Sequence, residues 1–209
     1  ANLERYYTKA QVASSRQAVV DLLRPRAGER ILDVGCGPGF MLADILREEP
    51  ALGLAVGVDP SEIMVDMARA RAGAASIPGA VEIRVGGAED LPFPDGTFDA
   101  VVFMQVLLYV KDVPKALQEA RRVLRPGGRL LLLETDWNGL LVHTLDTERF
   151  RRIFAACCSA FVDPHVPPKL PGLLAELGMR VREFRTVNMG TAGGKDYGSI
   201  AEDTFMGNW

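Results

Sequence analysis

The sequence predicts an α/β domain with a doubly wound, mostly parallel sheet. Five apolar, strand-like runs alternate with helix-like segments between residues 29 and 135. This order builds parallel strands joined by crossover helices. Each run is close to continuously apolar, as expected of strands that are covered on both faces. A chain of 209 residues is long enough for one such domain with a substantial core.

In the first half of the chain, the predicted helices and strands have clear first and last residues. Residues 9–24 carry Ala, Val and Leu at helical spacing, and Pro25 ends the run. The strand "ERILDVG" leads into the helix "FMLADILREE", which Pro50 stops. After the second strand, "LGLAVGVD", the helix "PSEIMVDMARARAG" begins at Pro60 and ends at Gly73. The third strand is "AVEIRVG".

The second half begins as regularly and then loosens. The strand "FDAVVFMQ", the helix "VPKALQEARRVL" and the strand "GRLLLLET" complete five strand–helix alternations. Beyond residue 136 we expect a helical insert, with helices "DTERFRRIFAACCSAF" and "LPGLLAELG" around the proline loop "VDPHVPPK". A sixth strand is expected at 178–188. Residues 198–209 are too short and polar for a confident seventh strand, so we expect a ragged or exposed sheet edge.

Composition excludes several functional classes. A net charge of -3 and a pI near 5.5 argue against nucleic-acid binding, which needs a basic face. The N-terminal residues lack the apolar core of a secretory signal, and the longest apolar run is about half a membrane span. Cys36, Cys157 and Cys158 are expected to be reduced thiols, and no Cys/His spacing predicts a metal site. We therefore expect a cytoplasmic protein without metal, membrane or nucleic-acid partners.

The most informative segment is "ILDVGCGPGF", residues 31–40. Bare backbone between a strand and its helix lets a ligand approach the amides at the helix start. The glycines follow G-x-G-x-G, with Phe40 where the dinucleotide fingerprint G-x-G-x-x-G has its last glycine. This spacing disfavours a nucleotide-cofactor oxidoreductase. No lysine follows the glycines, so the segment is not a phosphate-binding Walker loop.

Two further segments complete a ligand crevice. Asp59 ends the second strand, where an acid can accept both ribose hydroxyls of an adenosine. The loop "GGAEDLPFPDGTFD", residues 86–99, follows the third strand and could contact the adenine edge. All three segments meet at the carboxyl ends of neighbouring strands, where open α/β sheets bind ligands. The residues thus predict an adenosine-binding crevice without a phosphate-specific feature.

Four segments of the chain together resemble a known family. The segments "LDVGCGPG", "GVDPSEIMVDMARAR", "GAEDLPFPDGTFDAVV" and "EARRVLRPGGRLLLLE" resemble class I S-adenosylmethionine-dependent methyltransferases, most closely the small-molecule and quinone-type branch. The resemblance covers residues 28–136. It implies a Rossmann-like sheet of seven strands with the last one antiparallel. It also implies S-adenosylmethionine as methyl donor and S-adenosylhomocysteine as product.

The resemblance also implies a set of donor-binding residues. The glycines would lie beneath the methionine and ribose, Asp33 near the amino group and Asp59 on the ribose hydroxyls. Gly87 stands where relatives often have an aspartate, which makes Glu89 the candidate for the adenine amine. The full set is Asp33, Gly35, Cys36, Gly37, Gly39, Asp59, Pro60, Met64 (or Ile63), Ala88, Glu89 and Gln105.

Acceptor-binding residues are expected in three irregular segments: the N-terminus, the loop after the fifth strand, and the insert. The catalytic candidates are Gln105, Tyr7, Asp136 and His143, the last as general base if one is required. His143 could equally be a surface histidine. Tyr6, Trp137 and His165 are further candidates, and Arg16 either pairs with the donor carboxylate or lies on a solvated helix face.

We therefore predict one domain over residues 1–209. It has an N-terminal helical cap (1–27), a cofactor-binding core (28–136), a helical insert at the acceptor site (137–177), and a C-terminal strand and tail (178–209). The predicted function is methyl transfer to a C, N or O atom of a small molecule. The alternative is a non-catalytic subunit that only binds S-adenosylmethionine. A homodimer is an open alternative.

Overall fold

A five-stranded parallel sheet forms the centre of the molecule. The computed structural model describes residues 5, 7–74, 81–140 and 145–186. The strands are β1 (Arg30–Val34), β2 (Leu54–Asp59), β3 (Val81–Val85), β4 (Phe98–Met104) and β5 (Leu124–Leu133), in the spatial order β3-β2-β1-β4-β5. Because β1 pairs with both β2 and β4, the strand order reverses between β1 and β4. Ligands of doubly wound sheets bind at such a reversal.

Helices precede, connect and follow these strands in the described ranges. They are α1 (Ala10–Leu23), α2 (Phe40–Glu48), α3 (Glu62–Ala74), α4 (Val113–Val123), α5 (Thr147–Cys158) and α6 (Leu170–Glu176). Side chains of α1, α2 and α3 pack against one face, and those of α4 and α6 pack against the other. Two helices begin at an aspartate whose side chain accepts a backbone N–H of the first turn, Asp112 for α4 and Asp146 for α5.

The central strands divide their side chains between the two cores. In β1, Ile31 joins the core on the α1–α3 face, whereas Leu32 and Val34 join the core on the α4 face. In β4, Ala100 and Val102 face the first core and Val101 and Phe103 the second. Burial on both faces explains why these strands are continuously apolar. The expected α/β, Rossmann-like fold with a helical insert after the fifth strand is confirmed.

The sixth strand predicted at 178–188 is wrong for residues 178–186. No strand forms among these residues, and Val181 and Phe184 are 51% and 83% exposed. A strand needs a neighbour for its backbone groups, and β5 pairs only with β4 in the described part of the chain. The leucines of β5 from Leu130 to Leu133 are half-buried. Residues 198–209, where a seventh strand was in doubt, lie outside the described residues.

None of the helices in the described ranges is both long and apolar enough to cross a membrane.

Candidate active site

A glycine turn connects β1 to α2 at the point where the strand order reverses. Gly35, Gly37 and Gly39 have φ angles of 70°, 51° and 83°, in the left-handed region that favours glycine. The backbone N–H groups of Gly35 and Cys36 both donate to the carbonyl oxygen of Val58, at 2.8 and 2.9 Å. The turn is therefore fastened to β2 by its first two amides.

Each glycine of the turn is also closely approached by another part of the chain. A Cβ atom added to Gly35 would lie 2.5 Å from Cγ2 of Val106, and one on Gly37 would lie 3.2 Å from the Tyr7 hydroxyl. At Gly39 the nearest atom would be Cβ of Ala68 in α3, at 3.0 Å. The bare backbone thus serves the packing of the turn itself.

The carboxylate of Asp59 ties the end of β2 to this turn. One oxygen accepts the backbone N–H of Gly37 and the other that of Ser61, both at 2.9 Å. The residue is only 8% exposed. A carboxylate has about four acceptor positions, so each oxygen keeps one for a hydroxyl group. Asp59 is thereby held in one orientation at the carboxyl end of the sheet.

Asp33 is the most unusual acid of the site. It is 2% exposed, and its Oδ2 has no hydrogen-bond partner among the described residues. Burial, and secondly the charge of Asp59, raise the pKa of Asp33 to about 8. Burial also raises the pKa of the neighbouring Cys36 thiol, helped by the charges of both aspartates. Cys36 is therefore a neutral packing residue. Among the described residues, no cation contributes to the pKa shift of Asp33.

The N-terminal segment covers the glycine turn through Phe40. The Tyr7 ring stacks on the Phe40 ring, with centroids 5.5 Å apart and planes at 10°. On the same ring lies the guanidinium of Arg71, 3.5 Å from the centroid, and its Nε donates to the Pro38 carbonyl. Phe40, which breaks the dinucleotide fingerprint, thus anchors the cover over the turn.

The expectation that Arg16 lies on a solvated helix face is wrong, whereas its pairing with the donor carboxylate stays a prediction. The residue is 7% exposed, so it does not lie on a solvated helix face. Its Nε bonds to Asp44 at 2.6 Å, and its Nη1 donates to the Tyr7 carbonyl at 2.7 Å. Arg16 is already paired within the chain and fixes the segment that carries Tyr7. Helical periodicity could not show this, because the partners come from other parts of the chain.

Beyond β4 and β5, two polar side chains meet. Gln105, at φ 58°, accepts a hydrogen bond through its Oε1 from the Thr135 hydroxyl at 2.8 Å. The exposed Asp136 follows, and the rings of Trp137 and Phe161 stack with centroids 5.1 Å apart. One groove runs along β5 from its first residues to this end of the sheet, and its lining includes Tyr7, Asp33, Gly35, Cys36, Met64, Gln105, Asp136 and Trp137.

Other predicted residues lie elsewhere. Ala88 is buried and Glu89 accepts the backbone N–H of Asp112 at 2.8 Å, and neither lines this groove. Ile63, the alternative to Met64, is 72% exposed. His165 lies in the proline loop, away from the groove, and its Nδ1 has no partner among the described residues. His143 and Tyr6 lie outside the described residues.

Glu134 is a further residue of the site that the sequence did not predict. Glu134 lines the groove, and its Oε1 accepts the backbone N–H groups of Val106 and Leu107 at 2.9 and 2.8 Å. It lay at the end of a predicted strand, in the string "LLLLET". A polar residue that follows a buried strand at the ligand-binding edge was the available signal.

Comparison with known proteins gives a consistent result. Residues 32–132 match the family model described as a methyltransferase domain. Residues 32–132 of this chain are therefore similar to a methyltransferase domain. The chain is 43% identical over 112 residues to a demethylmenaquinone methyltransferase of Symbiobacterium thermophilum, covering 53% of this chain and 44% of the relative. It is 34% identical over 163 residues to the ubiquinone/menaquinone biosynthesis C-methyltransferase UbiE of Geobacter sulfurreducens, covering 78% and 59%.

A solved structure supports the fold. The YcgJ protein of Bacillus subtilis is 26% identical and matches with a TM-score of 0.64, covering 78% of this chain and 67% of that one. The chain spans 44% and 59% of the two curated relatives. The chain is therefore similar to parts of these proteins, whereas their full length is not matched.

The site at the strand reversal fits S-adenosylmethionine in two respects. Asp33 offers a buried carboxyl oxygen without a partner, which suits the donor's ammonium group. Asp59 has free acceptor positions next to a glycine-rich turn, which suits a ribose diol. Within the described ranges, no three His, Cys, Asp or Glu side chains are grouped to hold a metal ion.

Proposed function

We propose that this chain catalyses methyl transfer from S-adenosylmethionine to a small, partly apolar acceptor. The observation that carries the proposal is the pair of buried acids, Asp33 and Asp59, on either side of a glycine turn at the strand reversal. The acids differ in their partners. Asp59 is fixed by two amides, whereas Asp33 keeps an oxygen without one in the described chain.

Each acid has a proposed role in holding the donor. Asp59 would accept the ribose hydroxyls, and Asp33 would accept the ammonium group. A cation beside Asp33 would favour its ionised form and so reverse the effect of burial on its pKa. Ala88 and Glu89 remain the proposed contacts of the adenine. Gly37, Gly39 and Pro60 are the proposed neighbours of the ribose, and Met64 is a proposed apolar support. The bound donor supplies an activated methyl group on a sulfonium.

The chain's main task is then alignment and exclusion of water. Tyr7 lies over the turn through its stack on Phe40, and Gln105 extends from the end of β4 with its Oε1 held by Thr135. These side chains would enclose the line between acceptor atom and methyl group. A base is needed only for an acceptor that must lose a proton early, such as a hydroxyl or an acidic carbon. His143 remains the candidate for that role, and Asp136 is a second acid at the groove.

The acceptor is proposed to be aromatic, of the phenol or quinol type. Five aromatic side chains lie around the insert: Tyr109, Trp137, Phe150, Phe154 and Phe161. Aromatic faces bind flat ligands by offset stacking. The names of the two curated relatives, both methyltransferases of quinone biosynthesis, support the same class. A cytoplasmic location, the absence of nucleic-acid and metal partners, and a homodimer remain predictions.

The test is release of S-adenosylhomocysteine in the presence of a panel of phenols, quinols and amines. We expect turnover with at least one phenol or quinol, and its loss in Asp59→Ala. Asp66→Ala is the matched control, because Asp66 is an exposed acid of α3 that pairs with Arg69 on the same helix. Tight donor binding without turnover of any acceptor would instead indicate a non-catalytic subunit. Methylation of only protein or RNA would contradict the acceptor class.

A further inference from the structure

We infer that Glu134 is a positioning residue, which holds the 105–107 segment over the glycine turn and so places Gln105 at the methyl-transfer site. The inference rests on the proposed function, because it assigns a role within the same site. The observations behind it are the contacts that Glu134 and residues 105–107 make in the structure.

The backbone of Gln105 needs such support. Its φ of 58° lies in the left-handed region, which disfavours residues with a Cβ. Its N–H donates to the carbonyl oxygen of Leu133 at 2.8 Å, so sheet pairing continues up to this residue. The chain then turns away sharply. A strained conformation at a sheet edge persists only where neighbouring contacts fix it.

Glu134 supplies these contacts. Its Oε1 accepts the N–H groups of Val106 and Leu107, the two residues that directly follow Gln105. Both amides can reach one oxygen only while the chain turns at Gln105. Hydrogen bonds to an ionised carboxylate are about twice as strong as those between neutral groups. The carboxylate of Glu134, directly after β5, therefore stabilises the turn that follows β4.

The held segment reaches the donor side of the site. Val106 lies so close to Gly35 that an added Cβ would come within 2.5 Å of its Cγ2. Thr135, the next residue after Glu134, donates to the Gln105 side chain at 2.8 Å. Two consecutive residues after β5 thus fix both the backbone and the side chain of Gln105. Release of Glu134 would move Gln105 and loosen the packing beneath Gly35.

The placement of Glu134 carries a cost that a purely structural residue would avoid. Its second oxygen, Oε2, is buried and has no hydrogen-bond partner among the described residues. Burial raises the pKa of Glu134 to about 7, opposed by the N–H groups of Leu107, Val106 and Leu108. No charged side chain of the described chain contributes to this shift. Residues that oppose folding stability in this way occur chiefly at functional sites.

The sign of the pH effect follows from the raised pKa. A carboxyl whose folded-state pKa exceeds its unfolded value stabilises the fold at low pH, and this contribution is lost as the pH rises through the folded-state pKa. For Glu134 the loss extends from about pH 4.5 to about pH 7. Glu134→Gln should therefore be as stable as the wild type near pH 4 and more stable at pH 8.

The experiment compares Glu134→Gln, which keeps a carbonyl acceptor, with Glu134→Ala, which removes it. Glu29 provides the matched control. It is a buried glutamate that accepts the Arg26 N–H at 3.0 Å and pairs with Arg129, at the opposite end of the sheet. Glu29→Gln and Glu29→Ala are made in parallel. Three quantities are measured: amide proton shifts by nuclear magnetic resonance, Tm at pH 4 and pH 8, and calorimetric Kd for S-adenosylhomocysteine.

In the wild type, the amide protons of Val106 and Leu107 should titrate together with a midpoint near pH 7. Glu134→Gln should abolish this titration, raise Tm at pH 8, and leave Kd within about threefold, since a carbonyl still accepts both amides. Glu134→Ala should raise Kd by about tenfold and, with an active acceptor, lower kcat by about 100-fold with a smaller change in KM. Both Glu29 variants should lower Tm and leave Kd unchanged.

The inference is overturned if the two amides do not titrate, or if Glu134→Ala changes Kd no more than Glu29→Ala does. It is also overturned if Glu134→Gln loses Tm at pH 8 together with binding, as a purely structural residue would. Failure of the proposed function looks different: the wild type would not bind S-adenosylhomocysteine, while the amide titration would still report on the Glu134 contacts.

Discussion

Replacing Gly35 with alanine should lower the free energy of unfolding by roughly 2–5 kcal/mol. Two costs add. A residue with a Cβ at a φ of 70° costs about 1–2 kcal/mol. The new methyl group would also lie 2.5 Å from Cγ2 and 2.9 Å from Cγ1 of Val106, and overpacking of this kind costs about 1–3 kcal/mol. The total free energy of unfolding of a natural domain is only about 5–15 kcal/mol.

Two further variants separate these costs. Gly28 has a φ of 79°, and no atom lies within 4 Å of an added Cβ, so Gly28→Ala measures the backbone term alone. In the double variant Gly35→Ala/Val106→Ala, both Cγ atoms are gone and the nearest remaining atom is the Cβ of residue 106 at 3.3 Å. The second substitution should therefore recover about 1–2 kcal/mol of the loss, although Val106→Ala alone is destabilising.

The assay is urea unfolding followed by circular dichroism, with calorimetric binding of S-adenosylhomocysteine on each variant. We expect Gly35→Ala to weaken binding by at least about tenfold, because displacement of Val106 also moves the adjacent Gln105. Equal stability losses for Gly35→Ala and Gly28→Ala would refute the close packing of the turn. The close packing would also be refuted if the double variant lost more stability than the two single variants lose together.

Three further predictions concern the acids and the aromatic cluster. Asp59→Ala should weaken S-adenosylhomocysteine binding by about 1.5–3 kcal/mol, the scale of hydrogen bonds to a charged group, whereas unchanged affinity in calorimetry would place the ribose elsewhere. Asp33 has a pKa raised to about 8, so its contribution to stability is lost as the pH rises from about 3.8 through 8. Asp33→Asn should therefore raise Tm at pH 9 and leave it nearly unchanged near pH 4, and the reverse pattern would contradict the burial argument. Trp137→Ala should lower kcat/KM for an aromatic acceptor by about tenfold without changing donor affinity, and a parallel loss of donor binding would argue against a separate acceptor surface.

Much of the fold could be predicted because its determinants are local. The apolar runs of β1 and β4, the proline after α1 and the glycine turn lie within consecutive residues, and each element in this part formed within a few residues of its expected bounds. The sixth strand could not be judged in the same way. An alternating segment becomes a strand only beside a partner, and residues 178–186 have none in the described chain.

In the candidate site, too, local features could be predicted from the sequence and contacts between distant residues could not. The sequence alone determined that a bare turn and two acids, Asp33 and Asp59, follow β1 and β2, because strand ends and glycine spacing are local properties. Only the tertiary structure decided that Arg16 is buried and paired, and that Glu134 accepts two amides from the segment after β4. These contacts join residues 27 or more positions apart in sequence. Parallel pairing of β4 with β5 brings Glu134 beside Val106, and no property of the residues near Glu134 specifies that neighbour.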